Sequence, residues 1–306
     1  KRAEGYDWAN VVPGNTRKTL WTNTYDIEEL PQVIQPKSGY FYNANHSPFK
    51  STDSLENPKK NEFSENMGFE LYDNNRSTRL KELIDQYDKL DYSEFKKIKF
   101  DKKFPNPFNY SWMDIDSLFL MNPSDYPEIK PILKSIQSWN RIASAESYGA
   151  GAYGVLYSKL RKYYNNLPDP KIFTTSVLEK ALTESLQHII KYFGSNEVKL
   201  GSFQKLVRGD KELPIFGLPD VISSMGTAPY KEGMRKVVSG ESYIELVKFT
   251  KEGVEIESII SYGSSDHKES KHFNDQMEYY ANQKTKKMTF DKREIYKKAK
   301  KVYHPK

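Results

Sequence analysis

The sequence predicts an α+β fold, and three stretches carry that prediction. Residues 76–200 place apolar side chains at helical spacing, residues 241–262 switch to a strand-like period around a turn, and residues 1–65 are broken by turn signals.

The opening stretch is punctuated by Pro13-Gly14-Asn15, Pro36-Lys37-Ser38-Gly39 and Asn45-His46-Ser47-Pro48. Short extended pieces fit between them, at Gln32-Val33-Ile34 and Tyr40-Phe41-Tyr42. Helical spacing then begins with Leu80, Leu83, Ile84 and Tyr87. Ser93 reads as the N-cap of a helix through Phe95 and Ile98, and Ser124 as the cap of one whose inner face carries Ile132, Leu133, Ile136 and Trp139. Ser176 opens the clearest helix, with Leu178, Leu182, Leu186, Ile189 and Ile190 in its stripe and Gly194 as its stop.

In the last third, Tyr243–Phe249 and Val254–Ile260 read as the two arms of a hairpin, turning through residues 250–253 with Gly253 where a positive φ is needed. Both faces of the first arm are largely apolar. It is therefore expected between two layers, in a sheet some of whose strands lie outside this chain. The tail from Asp291 reads as an exposed helix.

A chain of 306 residues is long enough for a sizeable core, and 14% aromatics offset a hydrophobic fraction of 37%. The net charge of +6 is unevenly spread. Residues 284–306 hold ten Lys/Arg against two acids, or +8, which leaves about −2 elsewhere. A solvated helix explains the basic tail, and no basic patch with interleaved aromatics recurs, so no nucleic-acid partner is expected. The absence of cysteine excludes disulfides, thiolate metal sites and a Cys nucleophile. No run of eighteen apolar residues exists, so no transmembrane segment is expected. Lys1-Arg2-Ala3-Glu4 has neither an initiator Met nor a signal-peptide pattern, and reads as the interior of a longer chain.

The five histidines form no metal-binding spacing, and phosphate-loop, dinucleotide and Gly-x-Ser-x-Gly patterns are absent. The residues by themselves name no nucleophile. The loop Ser38–Pro48 stands out because it holds Asn43 and Asn45 on a constrained backbone. A fixed amide NH2 can donate to an oxyanion. From spacing alone, local turn bonding is the favoured role of these asparagines.

Several segments resemble the penicillin acylase family of N-terminal-nucleophile hydrolases, including its acyl-homoserine-lactone acylase branch. They are Trp21 with Glu29-Leu30-Pro31-Gln32-Val33, then Pro36-Lys37-Ser38-Gly39 through Asn45-His46-Ser47-Pro48, then Tyr72 through Arg76. Further on come Arg208-Gly209-Asp210 with Leu213-Pro214-Ile215-Phe216-Gly217, Gly240-Glu241-Ser242-Tyr243, Gly263-Ser264-Ser265, and Ser270 through Gln276. The resemblance runs in family order over almost the whole chain. It departs at Gln35, at His46 and at Ser264.

The resemblance implies that the chain, 1–306, is the C-terminal part of one αββα sandwich domain with a long helical excursion in its middle. It implies acyl-amide hydrolysis through an acyl-enzyme on an N-terminal Ser whose own amine is the base. That Ser, its backbone oxyanion donor and a following His would lie upstream of Lys1. The implied partners are an upstream α subunit, the N-terminal part of the β subunit and a small acyl amide, in the periplasm or outside the cell. Asn45 falls on the oxyanion Asn and Arg76 on the Arg that orients it, with Arg79 as competitor. No cofactor and no metal are implied. Ser270, His272, Asp275 and Gln276 read as a hydrogen-bonded turn. A glycan- or lipid-binding module built on Trp8, Trp21, Trp112 and Trp139, or an inert C-terminal domain, are the other readings.

Overall fold

A computed structural model of the chain describes residues 1–108, 110, 112–113, 115–166 and 174–304. It divides into two compact units, Lys1–Lys81 and Glu82–Lys306.

The first unit is built from turns and single 3-10 turns, and α1 (Asn75–Ile84) begins within it. The extended pieces at 32–34 and 40–42 do not join a sheet. Each is flanked by turns too tight to offer a partner strand, and Tyr42 N–H instead bonds the Ser51 carbonyl at 2.8 Å. Side chains do much of the tying. Asn57 Oδ1 accepts from Ser51 and Thr52 N–H at 2.7 and 3.0 Å, and the Thr52 hydroxyl donates to the Tyr40 carbonyl at 2.6 Å. Phe49, Phe63 and Phe69 pack together at centroid distances of 5.7, 5.9 and 6.5 Å, supplying apolar burial in a segment poor in regular structure.

The second unit opens with α2 (Tyr92–Lys99), α3 (Asp116–Leu120), α4 (Lys130–Gln137), α5 (Tyr148–Asn166) and α6 (Thr175–Phe193). The caps differ from the sequence expectation by a few residues. Asp91, not Ser93, caps α2, because only Asp91 has Glu94 three residues on to complete a capping box at 2.8 and 2.9 Å. Ser124 lies in a turn whose N–H bonds Asn122 Oδ1 at 3.1 Å, and α4 starts at Lys130 with Pro131 in its first turn. Thr174 rather than Ser176 caps α6, and Gly194 ends it in the left-handed region at φ 66°. Helical expectation over 76–200 also took in residues 109, 111, 114 and 167–173, which lie outside the described residues.

The helical core is set by the apolar periodicity. Ile132, Leu133 and Ile136 of α4 meet Tyr153, Leu156 and Leu160 of α5, with Leu182 and Ile189 of α6, all fully buried. Trp139, just beyond α4, stacks on Tyr153 at 5.4 Å and donates its indole N–H to the Ile142 carbonyl. Ile190 of the α6 stripe and Phe95 of α2 face solvent instead.

After the short α7 (Leu200–Phe203) come β1 (Gln204–Arg208), β2 (Lys211–Pro214), β3 (Met225–Pro229) and β4 (Arg235–Gly240). They form one sheet in the order β2-β1-β4-β3, with β1 and β4 parallel. A second sheet, β5-β6-β7, is made of β5 (Tyr243–Thr250), β6 (Gly253–Ile260) and β7 (Lys286–Met288). Between β6 and β7 lies α8 (Met277–Ala281), and the chain continues into α9 (Lys292–Lys298). Side chains from both sheets, including Leu206, Met225, Ile244 and Ile259, meet Met277 and Tyr280 of α8 in a second core. The α+β class is as expected. So is the hairpin, whose register pairs Thr250 with Gly253. So too is the exposed α9, capped by Asp291. Within this chain, β5 is buried on one face only. Ile244 and Leu246 are buried, but Tyr243, Val247 and Phe249 are exposed.

Candidate active site

The loop carrying Asn45 is shaped by its own side chains. Asn43 Oδ1 accepts the Asn45 N–H at 3.0 Å, an Asx turn, and Asn45 sits at φ 56°, a left-handed conformation that Asn tolerates better than most residues. Asn43 thus fulfils the turn reading. Asn45 shares in it through its backbone, while its side chain reaches elsewhere.

His46 is buried and works as a brace. Its Nδ1 accepts the Ala44 N–H at 3.1 Å, which places the ring proton on Nε2, and that nitrogen donates to the Lys50 carbonyl at 2.8 Å. The ring stacks on Tyr42 with centroids 4.9 Å apart. Upstream, the Glu56 carboxylate accepts from the backbone and hydroxyl of Ser38 and from Lys37 N–H. These bonds hold its pKa below the usual range and fix the turn that leads into the loop. Lys50 pairs with Asp73 on the stretch that precedes α1.

Asn74 joins the loop to the helix. Its Nδ2 donates to the carbonyls of Ala44 and Asn45 at 2.7 and 3.1 Å, and its Oδ1 accepts the Ser77 N–H at 2.9 Å. The Ser77 hydroxyl accepts the Asn74 N–H at 3.0 Å, so the two residues cap α1 reciprocally. Asn74 was not singled out from the sequence. The available signal was an N-cap residue three positions before a Ser, directly ahead of a helical stripe.

At the second residue of α1, Arg76 Nη1 donates to Asn45 Oδ1 at 3.1 Å. Arg79 lies a further turn along the same helix. A guanidinium can only donate, so the bond assigns Oδ1 to the arginine side and turns Nδ2 away from it. The exposed Asn45 is therefore held as a donor with a defined direction. The geometry brings together the two residues expected to carry the site.

Near the C-terminus, His272 Nδ1 bonds Asp275 Oδ2 at 2.7 Å, the Ser270 hydroxyl accepts the His272 N–H at 3.2 Å, and Gln276 Oε1 accepts the Ile260 N–H at 3.3 Å. A Cβ on Gly263 would lie 2.2 Å from the His272 carbonyl oxygen, which accounts for Gly at that crossing. These bonds tie a turn to β6. No group of three or more His, Cys, Asp or Glu is placed to hold a metal among the described residues, and none of their helices is long and apolar enough to cross a membrane.

The fold is that of the N-terminal-nucleophile hydrolases. Within that class, the chain belongs to the penicillin amidase family, whose model matches residues 2–297. It is similar to the acyl-homoserine lactone acylase PvdQ of Pseudomonas savastanoi pv. phaseolicola, with 30% identity over 39% of this chain and 16% of that protein. The PvdQ of Pseudomonas fluorescens is 24% identical over 56% of this chain and 25% of that protein. The chain thus spans a quarter or less of the length of these relatives. Among solved structures, a thermostable penicillin G acylase from Alcaligenes faecalis shares the fold, with a TM-score of 0.50 over 94% of this chain and 60% of that chain at 14% identity.

Proposed function

We propose that the intact protein hydrolyses acyl amides and that this chain supplies the side-chain half of its oxyanion hole. The observation that carries the reading is the Arg76–Asn45 bond at 3.1 Å. It leaves the asparagine's NH2 as the outward donor on a loop braced by His46 and Asn74. In acyl transfer, negative charge builds on the carbonyl oxygen, and a donor already in place stabilises it without reorganisation. Arg76 adds a fixed positive charge behind that donor and polarises the amide further.

The nucleophile in this reading is an N-terminal Ser on a segment outside these residues. Its own α-amine takes the hydroxyl proton, the hydroxyl oxygen bonds the carbonyl carbon, and the amine leaves with the proton. Water then releases the acid. The chain works with an α subunit and the N-terminal part of the β subunit of the same precursor, in the periplasm or outside the cell. Membership of the family and similarity to lactone acylases favour substrates with an apolar or aromatic acyl group: an N-acyl-homoserine lactone, a β-lactam side chain or a related amide.

The test is an intact-mass measurement of the protein made from its whole gene, followed by turnover of a chromogenic acyl anilide. The expected result is a processed chain beginning with Ser, and activity that disappears when that Ser is replaced by Ala. Activity surviving that replacement overturns the reading.

A further inference from the structure

Within the second unit, a cavity of about 340 Å3 opens between α5 and the sheet that contains β1, β3 and β4. That volume falls within the range of small-ligand pockets. Gly154, Tyr157, Ser158 and Arg161 line one side. Their spacing of three, four and seven residues puts them on a single face of α5. The opposite side is made by Gln204, Thr227 and Arg235, over an apolar floor of Phe203, Leu218 and Pro219.

The lining of this cavity carries two arginines and no acidic residue, with Asp220 near Tyr157 outside the lining. Among the described residues, neither Arg161 nor Arg235 has a carboxylate within ion-pair distance. Arg235 is half-buried, and burial lowers its pKa. Its Nε donates to the Thr227 hydroxyl at 2.8 Å and its Nη2 to the Thr227 carbonyl, so the guanidinium plane is fixed. Arg161 lies over the Trp112 ring at 4.9 Å, a contact that holds a cation without neutralising it. For the half-buried Arg235, which has no carboxylate partner among the described residues, desolvation is costly, and an incoming anion removes that cost. Tyr157 adds a hydroxyl. Burial raises its pKa, Arg161 pulls it back and Asp220 adds to the rise, so it stays a neutral donor at physiological pH. The β3–β4 register is also irregular between Gly226 and Thr227, a local distortion of the kind that re-aims side chains beside sites.

We propose that this cavity is a second ligand site that takes a small organic carboxylate with an apolar body, its carboxylate held by Arg161 and Arg235 and its body against Phe203 and Leu218. The apolar floor separates such a ligand from a bare inorganic anion. The inference stands on the second unit alone and does not depend on the amide-hydrolase reading.

The experiment is titration calorimetry of the full protein with benzoate, benzamide and sulfate as probes. Saturable benzoate binding is expected, with benzamide and sulfate at least about 10-fold weaker. Loss of one charge-assisted partner is expected to weaken benzoate by about 10- to 100-fold in Arg161→Gln. Arg161 is exposed, so that variant should fold. Thr227→Val, which removes the hydroxyl that Arg235 Nε donates to while keeping the carbonyl bond and the charge, gives a second and smaller loss. Absence of saturable benzoate binding, equal binding of benzamide or sulfate, or parental affinity in Arg161→Gln would each overturn the proposal.

Discussion

Arg76 Nη1 stands 3.1 Å from Asn45 Oδ1, and this one bond decides which end of the Asn45 amide faces outward. An amide without such a neighbour can present either its oxygen or its NH2. Only the NH2 helps a developing oxyanion, and the oxygen would repel it. In the proposed reaction the arginine therefore acts through the asparagine, and the pair works as a unit.

That coupling makes a prediction about additivity. In the processed enzyme, Arg76→Ala should lower kcat by about 10- to 100-fold, the worth of one charge-assisted hydrogen bond, with KM little changed. Combining Arg76→Ala with Asn45→Ala should cost little more than Asn45→Ala alone, because the arginine has nothing left to orient. Steady-state kinetics of the two single variants and the double variant check this. Losses that multiply would show that Arg76 serves the reaction by another route.

Two glycines of α5 should respond in opposite ways to a methyl group. A Cβ on Gly151 would come within 1.9 Å of the Val198 carbonyl oxygen, backbone that cannot swing aside. Gly151→Ala should therefore lose about 1–3 kcal/mol of stability or more. A Cβ on Gly154 would meet Leu200 and Leu218 side chains at 3.4 Å, an ordinary contact. Gly154→Ala should be neutral or gain up to about 1 kcal/mol from helix propensity. Urea unfolding of both variants decides the matter, and equal losses would contradict the account of α5 packing.

His188 should make stability fall on mild acidification. Burial, against the partial support of its bond to the Gly233 carbonyl at 2.8 Å and with Lys159, Arg235 and Lys191 adding to the effect, lowers its pKa from 6.5 in the folded state. Above pH 6.5 the ring is neutral folded and unfolded, and it adds no pH dependence. As pH falls below that value the unfolded chain takes up the proton first, so stability is lost until the pH passes the folded pKa. His188→Gln keeps a donor for Gly233 and removes the titration. The difference in melting temperature between parent and variant should shift in favour of the variant between pH 6.5 and 5, and a constant difference would contradict the prediction.

The regular elements were legible in the sequence where a local signal had one meaning. The hairpin was readable because two β-rich arms flank a short turn with Gly253, and α6 because a stripe ends at Gly194. Two caps moved because Ser93 and Ser176 each had a competitor bonded to the residue three positions on, Asp91 to Glu94 and Thr174 to Val177, whereas α4 has no side-chain cap and simply starts at Lys130-Pro131. The exposed face of β5 could not be read, since apolar side chains on both faces do not tell what covers them. Asn45 was readable as a donor only through the family resemblance. Its spacing favoured the turn reading, and the structure gives that task to Asn43. Arg76 and Arg79 lie one helical turn apart, so periodicity could not choose between them; the bond to Asn45 is made by Arg76. Asn74 went unseen because a helix cap and a loop staple have the same residue preferences.

The most direct test of the central claim is kcat for Asn45→Ala in the processed enzyme with an acyl amide at saturating concentration. The account predicts a fall of about 100- to 1,000-fold, the cost of one oxyanion donor, in a protein that still folds and matures. Turnover equal to the parent's in a matured Asn45→Ala enzyme would show that this asparagine shapes a loop and plays no part in the chemistry.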